Sequence, residues 1–93
     1  MHYTYVLFSH RDRRLYVGCT GDLKRRFNDH RFGRVRSTQD RRPLELIYYE
    51  AYPTTIEAER RERYLKGGNG REALKHQLQQ TFERLRYRSR LNE

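Results

Sequence analysis

Five side chains have types and spacing suited to phosphodiester hydrolysis. They are Tyr5, Tyr16, Arg26, His30 and Glu62. A carboxylate can hold a hard divalent ion, which prefers oxygen ligands and keeps several of its waters. An arginine can neutralise charge gathering on phosphoryl oxygens. A tyrosine hydroxyl beside cations can take a proton from water. Taken one at a time, each residue has an ordinary structural reading. Tyr5 and Tyr16 could be a cross-strand aromatic pair, Arg26 a solvated helix charge, and His30 a satisfied or surface histidine. Glu57, Glu59 and Glu62, set among Arg60, Arg61 and Arg63, could be surface salt bridges on a helix. Glu59 stands as a rival to Glu62 for the ligand.

The elements that must position these groups follow from local pattern. His2 to Ser9 is rich in residues suited to a pleated surface. The polar run Arg11-Asp12-Arg13-Arg14 turns the chain, and Leu15 to Thr20 reads as a second strand, so the two form a hairpin. Gly18 inside a strand marks a bulge or a close approach. Asp22 can cap the following helix, on which Leu23 and Phe27 share one face and Arg26 and His30 a neighbouring one. Arg31 to Arg42 carries five Arg and one Asp and reads as a basic loop or a short helix with loops. Leu44 to Tyr52 is a third strand, the most apolar, and is expected between the other two. Pro53 ends it. Thr54 and Glu57 have capping-box spacing, opening a helix over Thr55 to Lys66 that Gly67-Gly68-Asn69-Gly70 stops. A last helix begins near Arg71, with Leu74, Leu78, Phe82 and Leu85 at helical spacing. The expected fold is α/β, a small three-stranded mixed or antiparallel sheet flanked by helices, in the order β-β-α-β-α-α.

Composition narrows the partners. The chain has 93 residues, and 21 Lys+Arg against 12 Asp+Glu give a net charge of +9. That length suits one domain over residues 1–93, with an Arg-rich C-terminal tail at about 84–93. No stretch approaches the roughly 20 apolar residues of a membrane helix, and the N-terminus does not read as a secretory signal. One cysteine, Cys19, makes no internal disulfide and no Cys-rich zinc site. It is expected to be a small buried filler, and the chain is expected in the cytoplasm, with association to the nucleoid as an alternative. Arg outnumbers Lys 18 to 3, and Arg forks onto phosphate and stacks on planar rings. Eight tyrosines accompany it. Tyr48, Tyr49, Tyr52 and Tyr64 are candidates for stacking bases, although Tyr48 and Tyr49 must point to opposite faces of their strand. A nucleic-acid partner is the expectation. Candidate DNA-binding residues are Arg25, Arg31, Arg34, Arg36, Ser37, Thr38, Arg41, Arg42, Lys66 and Arg71, together with Arg84, Arg86, Arg88 and Arg90 of the tail.

The halves Thr4-Tyr5 and Tyr16-Val17-Gly18, separated by a turn, resemble the signature of the GIY-YIG nucleases. The first half departs from the name, since Tyr3-Thr4-Tyr5 stands where Gly-Ile-Tyr would. Arg26 and His30 fall ten and fourteen residues after Tyr16, as in the family pattern. Ser37-Thr38, Arg42-Pro43-Leu44, Tyr48-Tyr49-Glu50 and the run from Ala58 to Gly67 resemble its compact stand-alone members. The resemblance covers Tyr3 to Leu78. It implies a metal-dependent endonuclease giving 5′-phosphate and 3′-hydroxyl ends. It implies Tyr16 as general base, Tyr5 positioning the nucleophile or supporting Tyr16, and Arg26 stabilising the pentacoordinate phosphorane. It further implies His30 contacting the phosphate or Tyr5, and Glu62 binding Mg2+ or Mn2+. With one catalytic centre and no separate DNA-binding module, single-stranded or structured DNA is the expected substrate and a monomer the expected state. No membrane and no small-molecule cofactor beyond the metal are expected. The competing expectation is a catalytically weak nucleic-acid-binding module on the same fold.

Overall fold

The computed structural model describes residues 1–87. Strands β1 (His2–Ser9), β2 (Leu15–Thr20) and β3 (Leu44–Tyr52) are joined by helix α1 (Leu23–Arg31) and a single 3₁₀ turn, Gln39–Arg41. Helices α2 (Thr55–Lys66), α3 (Gly68–Gln77) and α4 (Gln79–Leu85) follow. Arg88 and Arg90 of the basic tail lie outside the described residues.

The three strands and α2 start and stop where local chemistry places them. The Asp22 side chain accepts from the Arg25 amide at 3.1 Å, and Thr54 from the Glu57 amide at 3.2 Å. Each satisfies a helix N–H that has no partner within its own helix.

Strand order is different from the expectation. The sheet runs β2-β1-β3, so β1 is the centre, not β3. From Thr4 to Ser9 every residue of β1 is buried, as a strand covered on both faces must be. In β3 three of the seven residues that count as apolar are tyrosines, and the hydroxyls of Tyr48 and Tyr52 take a polar partner in Glu50. Of the two sheet types expected, it is the antiparallel one. The crossover through α1 does make β2 and β3 run the same way, but β1 lies between them and pairs antiparallel with both.

The C-terminal region differs too. The Gly67–Gly70 run ends α2, yet α3 begins at once, at Gly68. A Cβ on Gly70 would stand 2.0 Å from the Tyr64 carbonyl oxygen, so the glycine lets α3 turn back tightly against α2. Leu78 then separates α3 from α4, giving two helices where one was expected. Leu74, Leu78, Phe82 and Leu85 are all buried, as their spacing predicts.

Alternation along β1 divides the interior in two. Val6 and Phe8, with Leu15 and Val17, pack against Leu65 of α2 and the buried leucines of α3 and α4. Tyr5 and Leu7 point the other way, toward Leu23 and Phe27 of α1. A bulge opposite Val6 and Leu7 resets β3, so that Ile47 and Tyr48 both pack on the helical core while Tyr49 faces the α1 side. A bulge inserts one unpaired residue and changes where later side chains point.

Candidate active site

The α1 side of the sheet gathers four of the five chemistry-bearing residues. Tyr5 and Tyr16 lie on neighbouring strands with ring centroids 6.4 Å apart. The His30 ring stands edge-on to both, 5.6 Å from Tyr5 and 5.1 Å from Tyr16. His30, in the last turn of α1, is fully buried. Its Nε2 is hydrogen-bonded to the Tyr5 hydroxyl at 2.8 Å, and its Nδ1 to the Thr38 hydroxyl at 2.7 Å. A neutral imidazole donates through one nitrogen and accepts through the other, so Tyr5 and Thr38 together fix its tautomer.

Burial, reinforced by the positive charge of Arg26 and only partly offset by Asp29, pushes His30 down to about 4. The ring is therefore neutral at physiological pH. Burial likewise pushes Tyr5 up to about 12, against the opposing pull of Arg26. Tyr5 keeps its proton. Arg26, one helical turn before His30, is held further above its ordinary value by the Tyr5 hydroxyl. It makes no ion pair among the described residues.

Gly18 pairs with Tyr5 across the hairpin. A Cβ at that position would lie 2.5 Å from the Tyr5 hydroxyl oxygen. The missing side chain is thus the space through which Tyr5 reaches His30, the close approach that a glycine inside a strand signals.

Glu62 comes from the other side. Its helix, α2, packs on the opposite face, and β2 is an edge strand. The carboxylate, 22% exposed, pairs with Lys66 at 2.8 Å. It lies beside the Cys19 thiol, which burial and then Glu62 push up to about 11 against a hydrogen bond to Thr4. It is also close enough to act on the Tyr5 hydroxyl electrostatically. Glu59, exposed on the same helix, also acts on the Cys19 thiol, after Glu62.

The basic residues separate by what already holds them. Arg25, Arg31, Arg36 and Ser37 are exposed. Arg34 pairs loosely with Asp29 at 3.3 Å, and Arg42 donates to the Gln39 carbonyl at 3.0 Å. Arg41 is tied to Asp12 at 2.5 Å and to the Leu15 carbonyl, which pins the basic loop to the hairpin. Arg84 pairs with Glu45 at 2.6 Å, Arg86 is exposed, and Arg71 is half-buried. Thr38 is fully buried. Its hydroxyl supports His30 and cannot touch DNA, a role that its place in a polar, basic loop gave no means of seeing.

No helix among the described residues is long and apolar enough to cross a membrane. A UPF0213 protein of Clostridium perfringens is 37% identical over 67 residues, covering 71% of each chain. One from Bacillus pumilus is 44% identical over 62 residues, covering 66% of this chain and 62% of its own. The solution structure of a UPF0213 protein of Bacillus halodurans is similar at 34% identity, with a TM-score of 0.48 over 78% of this chain and 80% of that one. The GIY-YIG catalytic domain model matches residues 1–76, which contain both tyrosines, Arg26, His30 and Glu62. With that match over most of its length, the chain belongs to the GIY-YIG nuclease family.

Proposed function

We propose that the protein is a divalent-metal-dependent DNA endonuclease acting on single-stranded or structured DNA and leaving 5′-phosphate and 3′-hydroxyl ends. We take it to work as a monomeric catalytic domain in the cytoplasm. The observation that carries this reading is the α1 face itself. Arg26 has no ion pair among the described residues, and it stands beside one phenol held by a neutral histidine and a second phenol with no hydrogen bond there.

On this reading Arg26 receives the scissile phosphate and neutralises the charge that grows on its oxygens. Tyr16, acting as its phenolate, takes a proton from the attacking water as that water's oxygen bonds to phosphorus, and ends as the neutral phenol. Tyr5, protonated and held by His30, orients the reacting groups. Thr38 acts one step behind, by fixing His30. The bond from phosphorus to the 3′ oxygen breaks, and that oxygen takes a proton from solvent water.

Glu62 is the residue that would hold the metal. Among the described residues no three His, Cys, Asp or Glu side chains cluster as a protein cage would require. One half-buried carboxylate fits Mg2+ or Mn2+, which take one or two carboxylates together with substrate phosphate and water. When bound, such an ion stabilises negative charge at the leaving oxygen.

The test is cleavage of labelled single-stranded and duplex DNA by wild type, Glu62→Gln and Glu59→Gln, with magnesium, manganese or chelator. Wild type and Glu59→Gln should cut when metal is present, and Glu62→Gln should not. The reverse pattern would move the metal to Glu59. Binding without cutting by the wild type under every condition would make this a binding module.

A further inference from the structure

The α1 side of the sheet does not end at the catalytic residues. Tyr3 lies on the same face as Tyr5, two residues before it or about 7 Å along β1. Tyr49 pairs directly with Tyr5 from β3, one strand spacing or about 5 Å away. The Tyr3 and Tyr49 rings meet edge to face at 6.1 Å. Together with Phe27 of α1 and Leu46 of β3 they line an open groove of about 520 Å³, with Lys24 and Asp22 at its mouth. Tyr49 is 54% exposed although it lies next to the centre of the sheet.

We infer that this groove is a stacking subsite for one unpaired base of the DNA strand whose phosphate lies at Arg26. The inference rests on the nuclease reading for its position relative to the cut. Three observations favour a nucleotide as occupant. Leu23 and Phe27 of the groove lie on α1, the helix that also carries Arg26, so the groove sits beside the catalytic residues. It offers flat aromatic surface, which every base can use without sequence readout. Its rim carries Lys24, exposed and without an ion pair among the described residues, and Arg25 follows on the same helix turn. The Asp22 side chain caps α1, accepting from the Arg25 amide. A base in a closed duplex is stacked on both sides and cannot enter. The groove therefore supplies a reason for preferring single strands that a basic surface alone does not.

The experiment measures equilibrium binding in chelator, so that it does not depend on cleavage. Wild type, Tyr49→Ala and Tyr49→Phe are titrated with an oligothymidine strand and with a blunt duplex of equal length. Tyr49→Ala should lower the ratio of single-strand to duplex affinity by about 5- to 150-fold, the value of one lost base stack. Tyr49→Phe, which keeps a ring, should restore it. An abasic residue moved along the strand should weaken wild type at one position and leave Tyr49→Ala indifferent there. Equal losses on both substrates, no loss, or no single-strand binding by wild type would each overturn the subsite. Cutting by wild type is scored separately. A protein that cuts but shows no Tyr49 effect keeps the nuclease reading and loses the subsite. One that shows the effect but never cuts does the opposite.

Discussion

Two clusters on opposite faces of the sheet are built from similar parts. On the α1 side stand Tyr5, Tyr16, Arg26 and His30. On the α2 side, β3 presents Tyr48, Glu50 and Tyr52 at alternate positions, and Arg61 reaches them from α2. Each cluster has two phenols, a guanidinium and one further group. The fourth member decides what the rest can do. Glu50 accepts from both tyrosine hydroxyls, Tyr48 at 2.5 Å, and forks with Arg61 at 3.0 and 3.1 Å. Burial raises the Glu50 carboxyl, but these three donors outweigh it and hold the group below its usual range. Burial and then Glu50 push Tyr52 up to about 12. Every member is satisfied, and the cluster fastens α2 to β3. On the other face the fourth member is a neutral imidazole, which engages one phenol and leaves the cation without an ion pair among the described residues. Similar residues make a clamp where a carboxylate closes the network and a receptive site where none does.

The sharpest way to break this comparison is to remove one oxygen from each cluster. Tyr16→Phe keeps the ring and the fold, and should lower single-turnover cleavage by about 10²–10⁴-fold if the hydroxyl is the general base. Tyr52→Phe should cut within a few-fold of wild type and lose about 1 kcal/mol of stability instead. A folded Tyr16→Phe that cuts as well as Tyr52→Phe would leave both tyrosines structural.

Acid should separate the clusters by stability. His30 sits at about 4 in the fold against an ordinary 6.5. Between these values the unfolded chain binds a proton that the folded chain refuses. Stability from this group is therefore complete above the ordinary value and falls as pH drops toward 4, by an amount on the order of 3 kcal/mol. The sign is the same for Glu50, whose folded value is also lowered, but its loss begins only below the ordinary carboxylate range. Denaturant melts across pH should show His30→Gln flattening the upper part of the acid limb and leaving the lower part. A limb unchanged in His30→Gln would mean that the buried ring does not govern it.

A smaller effect is expected at the clamp. Glu50→Gln keeps the shape but removes the charge opposing Arg61, and should cost about 1–3 kcal/mol. That is a fall in Tm of several degrees for a chain of this size. Cleavage per folded molecule should be nearly unaltered, and a proportionate loss of rate would show that the clamp also sets the position of Glu62.

What could be read in advance divides along physical lines. Strand ends and the α2 boundaries depend on neighbours in sequence, such as Asp22, Thr54 with Glu57, and Pro53, and these were readable. Strand order depends on which strand is covered on both faces, and β3 imitates a central strand because its leucines, isoleucine and tyrosines all count as apolar. Tyr5, Tyr16, Arg26 and His30 come together because hairpin register and helical spacing are both short-range. Gly18 announced a close approach but not its partner, which proved to be Tyr5. Thr38 could not be assigned, because only the path of the loop brings it under His30. The Glu50 clamp left a trace, alternate Tyr-Glu-Tyr on one strand, but the arginine that completes it is eleven residues away on another element.

The smallest effect concerns cations in the open and cations already paired. Arg25, Arg31 and Arg36 are exposed and make no ion pair among the described residues, whereas Arg84 is bound to Glu45, which also accepts from His10. A phosphate contact adds to affinity by releasing condensed counterions, and each contributes about 0.7 to the log–log salt slope on a single strand. Replacing Arg25, Arg31 and Arg36 by Ala together should therefore flatten the slope by about 2. Arg84→Ala should leave the slope near that of wild type, because a guanidinium facing a carboxylate must give up that pair before it can serve a phosphate. Its cost should appear in stability, at up to about 1 kcal/mol for an exposed pair. The measurement is oligonucleotide binding in chelator from low to moderate salt. If Arg84→Ala flattens the slope as much per residue as the open arginines do, ion pairing in the free protein does not predict which cations meet DNA. The division between satisfied and receptive groups would then hold for the two tyrosine clusters but not for the surface around them.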